Sequence, residues 1–256
     1  MAFRARCGAE TEMTPPEAPA APPPRGQRQR PGKAGAAAFA WLALALLVLP
    51  GCASGPPPPD WQASAKSAID QASAAYLVGD SAGELRAFQR AREQIARTGR
   101  PELMARAELM RCAAHVASLV FEPCAGFEPW RGDAAPPERA YADYLAARAL
   151  SSADIERLPP AQRAVALALA GPATATPDLQ TIEDPLSRLI AVAVLFQAGK
   201  ASPATITLAA ETASAQGWRR PLLAWLEVLA LRAEKTGAAD EAQRLRRRIA
   251  LVQGAK

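Results

Sequence analysis

From residue 60 to the C-terminus, glycine and proline cut the chain into lengths that fit one helix each, and this punctuation restricts the fold more than any other feature. Gly79, Gly99, Gly199, Gly217 and Gly237 each follow a run with apolar residues three or four apart, so a helix and its turn take 18 to 20 residues. Proline marks the starts, at Pro101, Pro136-Pro137, Pro159-Pro160, Asp184-Pro185, Ser202-Pro203 and Pro221. Its fixed φ suits a first helical turn, where the missing N–H has no partner to lose. Half the residues are apolar but only 5% are aromatic, and the excess is alanine and leucine, which lose little side-chain freedom in a helix. The pattern predicts an all-α protein.

The stripes give the inward faces. Trp61, Ala65, Ala68, Ile69, Ala72 and Tyr76 form the first; Leu85, Phe88, Ala91 and Ile95 form the second, opened by Ser81 and Glu84 at the spacing of a capping box. The helix opening at Pro101 has two apolar faces, Leu103, Ala107, Met110, Ala114, Ala117 and Phe121 on one and Leu109, Cys112 and Val116 on the other, and should be central. Later helices carry Tyr141, Tyr144 and Leu145; then Val165, Leu167 and Leu169; then Leu186, Leu189, Ile190, Ala193 and Phe196; then Leu222, Trp225, Leu226 and Leu229. Residues 173–178 read as a loop, and 240–252 as the last helix.

Two such units make a hairpin of roughly 36 to 40 residues, the period of helical repeat proteins. Gly79-Asp80 followed by Phe88-Gln89-Arg90-Ala91, and Gly237 followed by Ala242, resemble tetratricopeptide repeats. The resemblance implies hairpins stacked as an irregular α-solenoid. Residues 121–160 do not keep the period, so an irregular helical bundle stands beside it.

The N-terminus has a different grammar. Arg25, Arg28, Arg30 and Lys33 precede an uncharged apolar run over 34–49, which meets Pro50-Gly51-Cys52. A basic region, a short apolar region and small residues at its end describe a secretory signal, and the run is short for a membrane span. Leu49-Pro50-Gly51-Cys52 resembles the lipobox of bacterial lipoproteins, which implies cleavage between Gly51 and Cys52 and acylation of the Cys52 thiol. An uncleaved anchor and ordinary secretory cleavage are the alternatives. Ala53, where inner-membrane lipoproteins of this kind carry aspartate, implies the outer membrane. The chain thus divides into a lead and signal over 1–51, a lipidated cysteine and proline-rich spacer over 52–59, and one helical domain over 60–256; translation from Met13 instead of Met1 leaves that division unchanged.

Residues 98–145, with Thr98-Gly99-Arg100-Pro101, Arg111-Cys112-Ala113-Ala114 and Phe121-Glu122-Pro123-Cys124, resemble uncharacterised lipoproteins of Gram-negative proteobacteria. That resemblance implies a compartment and no activity. Once Cys7 leaves with the signal and Cys52 carries lipid, Cys112 and Cys124 remain, and an even remainder in an oxidising compartment is most simply a disulfide. It would staple the segment 121–130 onto the third helix. The spacing suits neither a zinc site nor a Cys-x-x-Cys redox pair.

Charge excludes one class of partner. The formal +5 falls to +2 without residues 1–51, which hold six bases and three acids, and so small a charge gives no basic footprint for nucleic acid. Arg244, Arg246, Arg247 and Arg248 in the last helix, and Arg219-Arg220 beside Trp218, are either contacts for an anionic surface or a solvated helix face. The one histidine, His115, follows Glu108 and Arg111 on the polar side of its helix and reads as structural, because no nucleophile elbow, papain-like cysteine or zinc motif accompanies it. The acids are scattered beside arginines, Glu84 with Arg86 and Glu108 with Arg111, or sit at a helix start, as Glu183-Asp184 does.

The expected protein is therefore a lipid-anchored helical interaction module of the cell envelope, facing the periplasm from the outer membrane. It needs no cofactor or metal, binds a protein partner, and has no evident catalytic residue. The rival expectations are a cell-wall hydrolase using paired carboxylates and a passive structural lipoprotein.

Overall fold

The computed structural model describes residues 59–171 and 177–254. The leader, Cys52, nearly all of the spacer and most of the loop 173–178 lie outside them. Among the described residues there are ten α-helices and no strand: α1 (Asp60–Val78), α2 (Ser81–Ala96), α3 (Pro101–Ala117), α4 (Pro136–Leu145), α5 (Ser152–Arg157), α6 (Pro160–Ala170), α7 (Pro185–Gln197), α8 (Pro203–Ala215), α9 (Arg219–Lys235) and α10 (Ala239–Gly254). Short 3₁₀ turns lie at Glu128–Trp130 and Leu179–Thr181. The all-α class expected from the sequence is the class observed.

Local chemistry explains most boundaries. Among the described residues, the five glycines that punctuate the sequence are the glycines with positive φ, from 62° to 93°, each in the left-handed region after a helix. Asp184 and Ser202 cap α7 and α8 by accepting the backbone N–H of Ser187 and Thr205, just before the prolines that open those helices. At α2 the expected capping box does not form. Asp80 is the cap, accepting from Gly83 N at 2.8 Å, and Ser81 is already helical. Asp80 outcompetes because its carboxylate is the stronger acceptor at a helix N-terminus, and Glu84 is left free to turn inward.

Packing proceeds from two hairpin arrays toward a shared centre. Ala65, Ala68, Ala72, Ala87 and Ala91 line the contact of α1 with α2, so these helices approach closely, with Ile69, Phe88 and Ile95 filling the seam. At the other end α8, α9 and α10 pack in sequence. Between them α3 touches α1, α2, α4 and α7, while α7 touches α3, α4, α6 and α8. The predicted centrality of α3 is observed, and α7 shares it: Leu189 to Leu195 are all buried, as a helix apolar on every side requires. Helix α9 also returns to α1, a contact beyond those of neighbouring hairpins.

Three residues placed inward by the sequence pattern face water instead. Leu85, Met110 and Leu167 are exposed because the positions beside them, Glu84 with Ala87, Leu109 with Ala113, and Ala166 with Ala168, take the core. The middle of the chain departs from the glycine grammar. Leu119 and Ala147 hold the left-handed conformation after α3 and α4, with φ of 63° and 54°, at a cost of roughly 1–2 kcal/mol each. Each is held by hydrogen bonds back into its helix, Val120 N to His115 O at 3.1 Å and Arg148 N to Asp143 O at 3.0 Å.

The turn at Leu119 sends the chain back along α3 and brings Cys124 to Cys112. The two are bonded, with a Cα–Cα distance of 5.6 Å. The segment after Cys124 is thereby fixed on α3, and Phe127 lies wholly inside the core. Trp225 completes the junction from α9, donating its indole N–H to Ala117 O at 3.2 Å. Breaking the Cys112–Cys124 bond should cost about 3 kcal/mol from loop entropy. Urea unfolding with and without reductant checks this: wild type should lose that stability on reduction and the C112S/C124S double variant should not respond. An unchanged wild-type midpoint would remove the bond from the stability of the fold.

Candidate functional site

The densest polar cluster of the described residues lies where the α1–α2 hairpin meets α3 and α9. Helix α3 presents Glu108, Arg111 and His115 at helical spacing, α2 contributes Glu84, α1 contributes Tyr76 and α9 contributes Arg220. Glu84 is buried, and its Oε1 accepts from Arg111 Nε at 2.8 Å and His115 Nε2 at 3.0 Å. That contact sets the histidine tautomer, since a carboxylate can only accept. The Arg111 guanidinium also lies 5.1 Å from the centre of the Phe88 ring.

Tyr76 occupies the middle of the cluster. Its ring stacks on His115, centres 4.1 Å apart and planes 10° apart, and the Arg220 guanidinium carbon lies 4.3 Å from the same centre. Two groups that close cannot share one face, so the ring is sandwiched. Arg220 also donates from Nε to Tyr76 O at 2.8 Å and from Nη2 to Ser81 Oγ at 2.7 Å, tying α9 to both sides of the α1–α2 turn. The Tyr76 and Ser118 hydroxyls are both buried without a hydrogen bond. Burial raises the Tyr76 pKa against the opposing influence of the Ser118 hydroxyl and Arg220, so the phenol stays neutral.

Arg111 and His115 separate two spaces. Toward Ile69, Ser73 and Phe88 the enclosed volume is about 10 Å³, no more than one water requires. On the opposite side is an open recess of about 250 Å³ walled by Glu108, Glu122, the Cys112–Cys124 bond and Gly126. Glu108 is buried beneath it, with Oε1 accepting from Arg92 Nη1 at 2.9 Å. Its other oxygen sits where a Cβ on Gly126 would come within 2.1 Å, so only glycine allows that approach.

The two carboxylates are displaced in opposite directions. Burial alone would raise Glu84, but the hydrogen bonds from His115 and Arg111 outweigh it and hold its pKa below the ordinary carboxylate range. Burial raises Glu108, and the charges of Arg92 and Arg111 offset it only in part. Opposed displacements are what an acid–base pair needs. Here the ionised member is already bonded to Arg111 and His115 in a water-sized space, and no sugar ring fits beside it. The arrangement holds helices together.

The pairings read from sequence neighbours are corrected accordingly. Glu84 pairs with Arg111 instead of Arg86, and Glu108 with Arg92 instead of Arg111, because burial brings both carboxylates inward across helices, while Arg86 stays exposed and Arg111 is taken by Glu84. Of the basic cluster in α10, Arg246 is held by Glu227 at 2.6 Å and Glu234 at 2.8 Å, tying α10 to α9, and Arg244 by Glu241 at 3.4 Å. Arg247 and Arg248 are exposed. Among the described residues no three His, Cys, Asp or Glu side chains are grouped so as to hold a metal, and no helix is long and apolar enough to cross a membrane.

The signs of the two shifts give opposite expectations. Glu84 contributes stability that is complete above its unfolded pKa near 4.5 and lost as pH falls through its lower folded value. E84Q should therefore cost about 1–3 kcal/mol at pH 7, and the difference from wild type should narrow as pH falls below 4.5. Glu108, raised on folding, opposes stability once ionised, so E108Q should lose nothing at pH 7 and should remove the gain that wild type shows as pH falls toward 4.5. Urea titrations of both variants at pH 7 and pH 3.5 check this; equal losses at pH 7 would contradict the opposed roles.

No family model, curated protein or solved structure matches this chain. Its function is read from its residues and their geometry.

Proposed function

We propose that this chain is a lipid-anchored helical interaction module of the bacterial cell envelope, tethered at Cys52 and engaging another protein on the periplasmic face of the outer membrane. The observation that carries the reading is the Cys112–Cys124 bond, because disulfides persist in oxidising compartments and are rare where glutathione keeps thiols reduced. It agrees with the reading of the leader, in which a basic region, an apolar run over 34–49 and Leu49-Pro50-Gly51-Cys52 resemble the pattern that directs lipid to such a cysteine. Two or more acyl chains on that sulfur and its amine would anchor stably, whereas one holds only marginally.

Binding is favoured over catalysis by the state of the charged groups. Glu84 and Glu108 are each engaged by arginine, and the recess beside Glu108 is open. Surfaces of that kind suit a protein partner, which brings its own relief to fill them. The hydrolase reading keeps one supporting feature, the opposed displacement of the two carboxylates.

Cys52→Ala tests the anchor. In Gram-negative cells fed a labelled fatty acid, wild type should carry label and fractionate with membranes, and the variant should carry none and leave them. A variant still labelled and membrane-bound would reject acylation at position 52.

A further inference from the structure

Helices α1 and α2 form an antiparallel hairpin joined through Gly79 and Asp80, so the start of α1 and the end of α2 lie at one end, where α3 also begins. At that end Ile95, Ala96, Gly99, Pro101, Met104 and Trp130 line an open recess of about 250 Å³. Trp130 is half-buried, Arg100 is exposed at the rim, and Arg97 is exposed one residue beyond Ala96. Arg100 is shared with Glu102 at 2.7 Å, and Arg97 donates to Gln94 at 3.3 Å. Trp61, in the first turn of α1, is at the same end.

Covalent length bounds how far this end lies from the lipid. Six residues lie between Cys52 and Pro59, and a chain spans at most about 3.6 Å per residue step, so the start of α1 lies within about 25 Å of an acylated Cys52. Helix α1 is itself about 28 Å long, which puts Trp218, packed on Tyr76 and Leu77, at the far end. Tryptophan and arginine around an apolar recess are the residue types that settle at a headgroup boundary, the ring in the interface and the cation at phosphate.

We infer that this recess is a membrane-contacting surface, and that the domain rests on the phospholipid headgroup layer with Trp130 inserted at the interface. The inference rests on the lipid anchor at Cys52 and adds an orientation to it. The opposite end, with Trp218 and the α1–α2 turn, is thereby presented to the periplasm.

The test uses the full chain expressed with its leader, extracted in detergent and reconstituted into phosphatidylethanolamine–phosphatidylglycerol vesicles carrying brominated acyl chains, which quench nearby tryptophans. Trp61 and Trp130 share the interface, so W130F should lower the quenched intensity about twofold, and W218F should leave that intensity unchanged. Amide exchange in wild type should slow over residues 96–104 on vesicles and stay constant over 77–83, a readout that needs no variant. Protein that binds the vesicles with equal quenching in wild type and W130F, or with no slowing over 96–104, overturns the orientation while the anchor stands. Protein that does not associate with vesicles overturns both.

Discussion

A carboxylate taken out of water is costly unless charged donors surround it, and the junction of this domain is organised around one such group. Glu84 stands at the inner face of α2 with Arg111 and His115 both bonded to one of its oxygens. Both donors come from α3, so satisfying the charge fixes the hairpin against the central helix in one register. The alanine-lined contact of α1 with α2 buries little area per residue, and the hairpin gains its attachment to the body from this polar junction as well as from apolar contact. Tyr76, with His115 on one face and Arg220 on the other, extends the same junction to α9.

What the sequence revealed was the part of the fold written in local chemistry. Glycine at a left-handed turn and proline at a first turn are chosen for backbone reasons that neighbouring residues cannot override, so the helices they bound were visible. The grammar failed where tertiary bonds took over that task. Leu119 and Ala147 turn the chain without glycine, which hid the ends of α3 and α4, and the short α5 has no apolar stripe to reveal it. Glu84 sat at the spacing of a capping box, yet its partners are 27 and 31 residues away. Arg220 meets Tyr76 across 144 positions, and nothing in either segment announces the other. The disulfide was legible because the signal reading left only Cys112 and Cys124 to pair.

The same junction limits the chemistry available. Groups that could exchange protons are spent on holding helices, and the space they enclose admits about one water. What remains free is surface: open recesses beside the disulfide, exposed Arg247 and Arg248 on the last helix, and the apolar hollow at the start of α1. On the proposed reading, such a module acts by where it is held and what it touches. Position is therefore the larger part of the proposed function, with the tether setting one end of the domain toward lipid and leaving the other for a partner.

The intact mass of the protein extracted from cell membranes tests the proposed account most directly. The account predicts a chain beginning at Cys52, heavier than its sequence by a diacylglyceryl group and an amide-linked acyl chain, and lacking the thiol hydrogens of Cys112 and Cys124. The whole 256-residue chain, without lipid and with both thiols free, would contradict it.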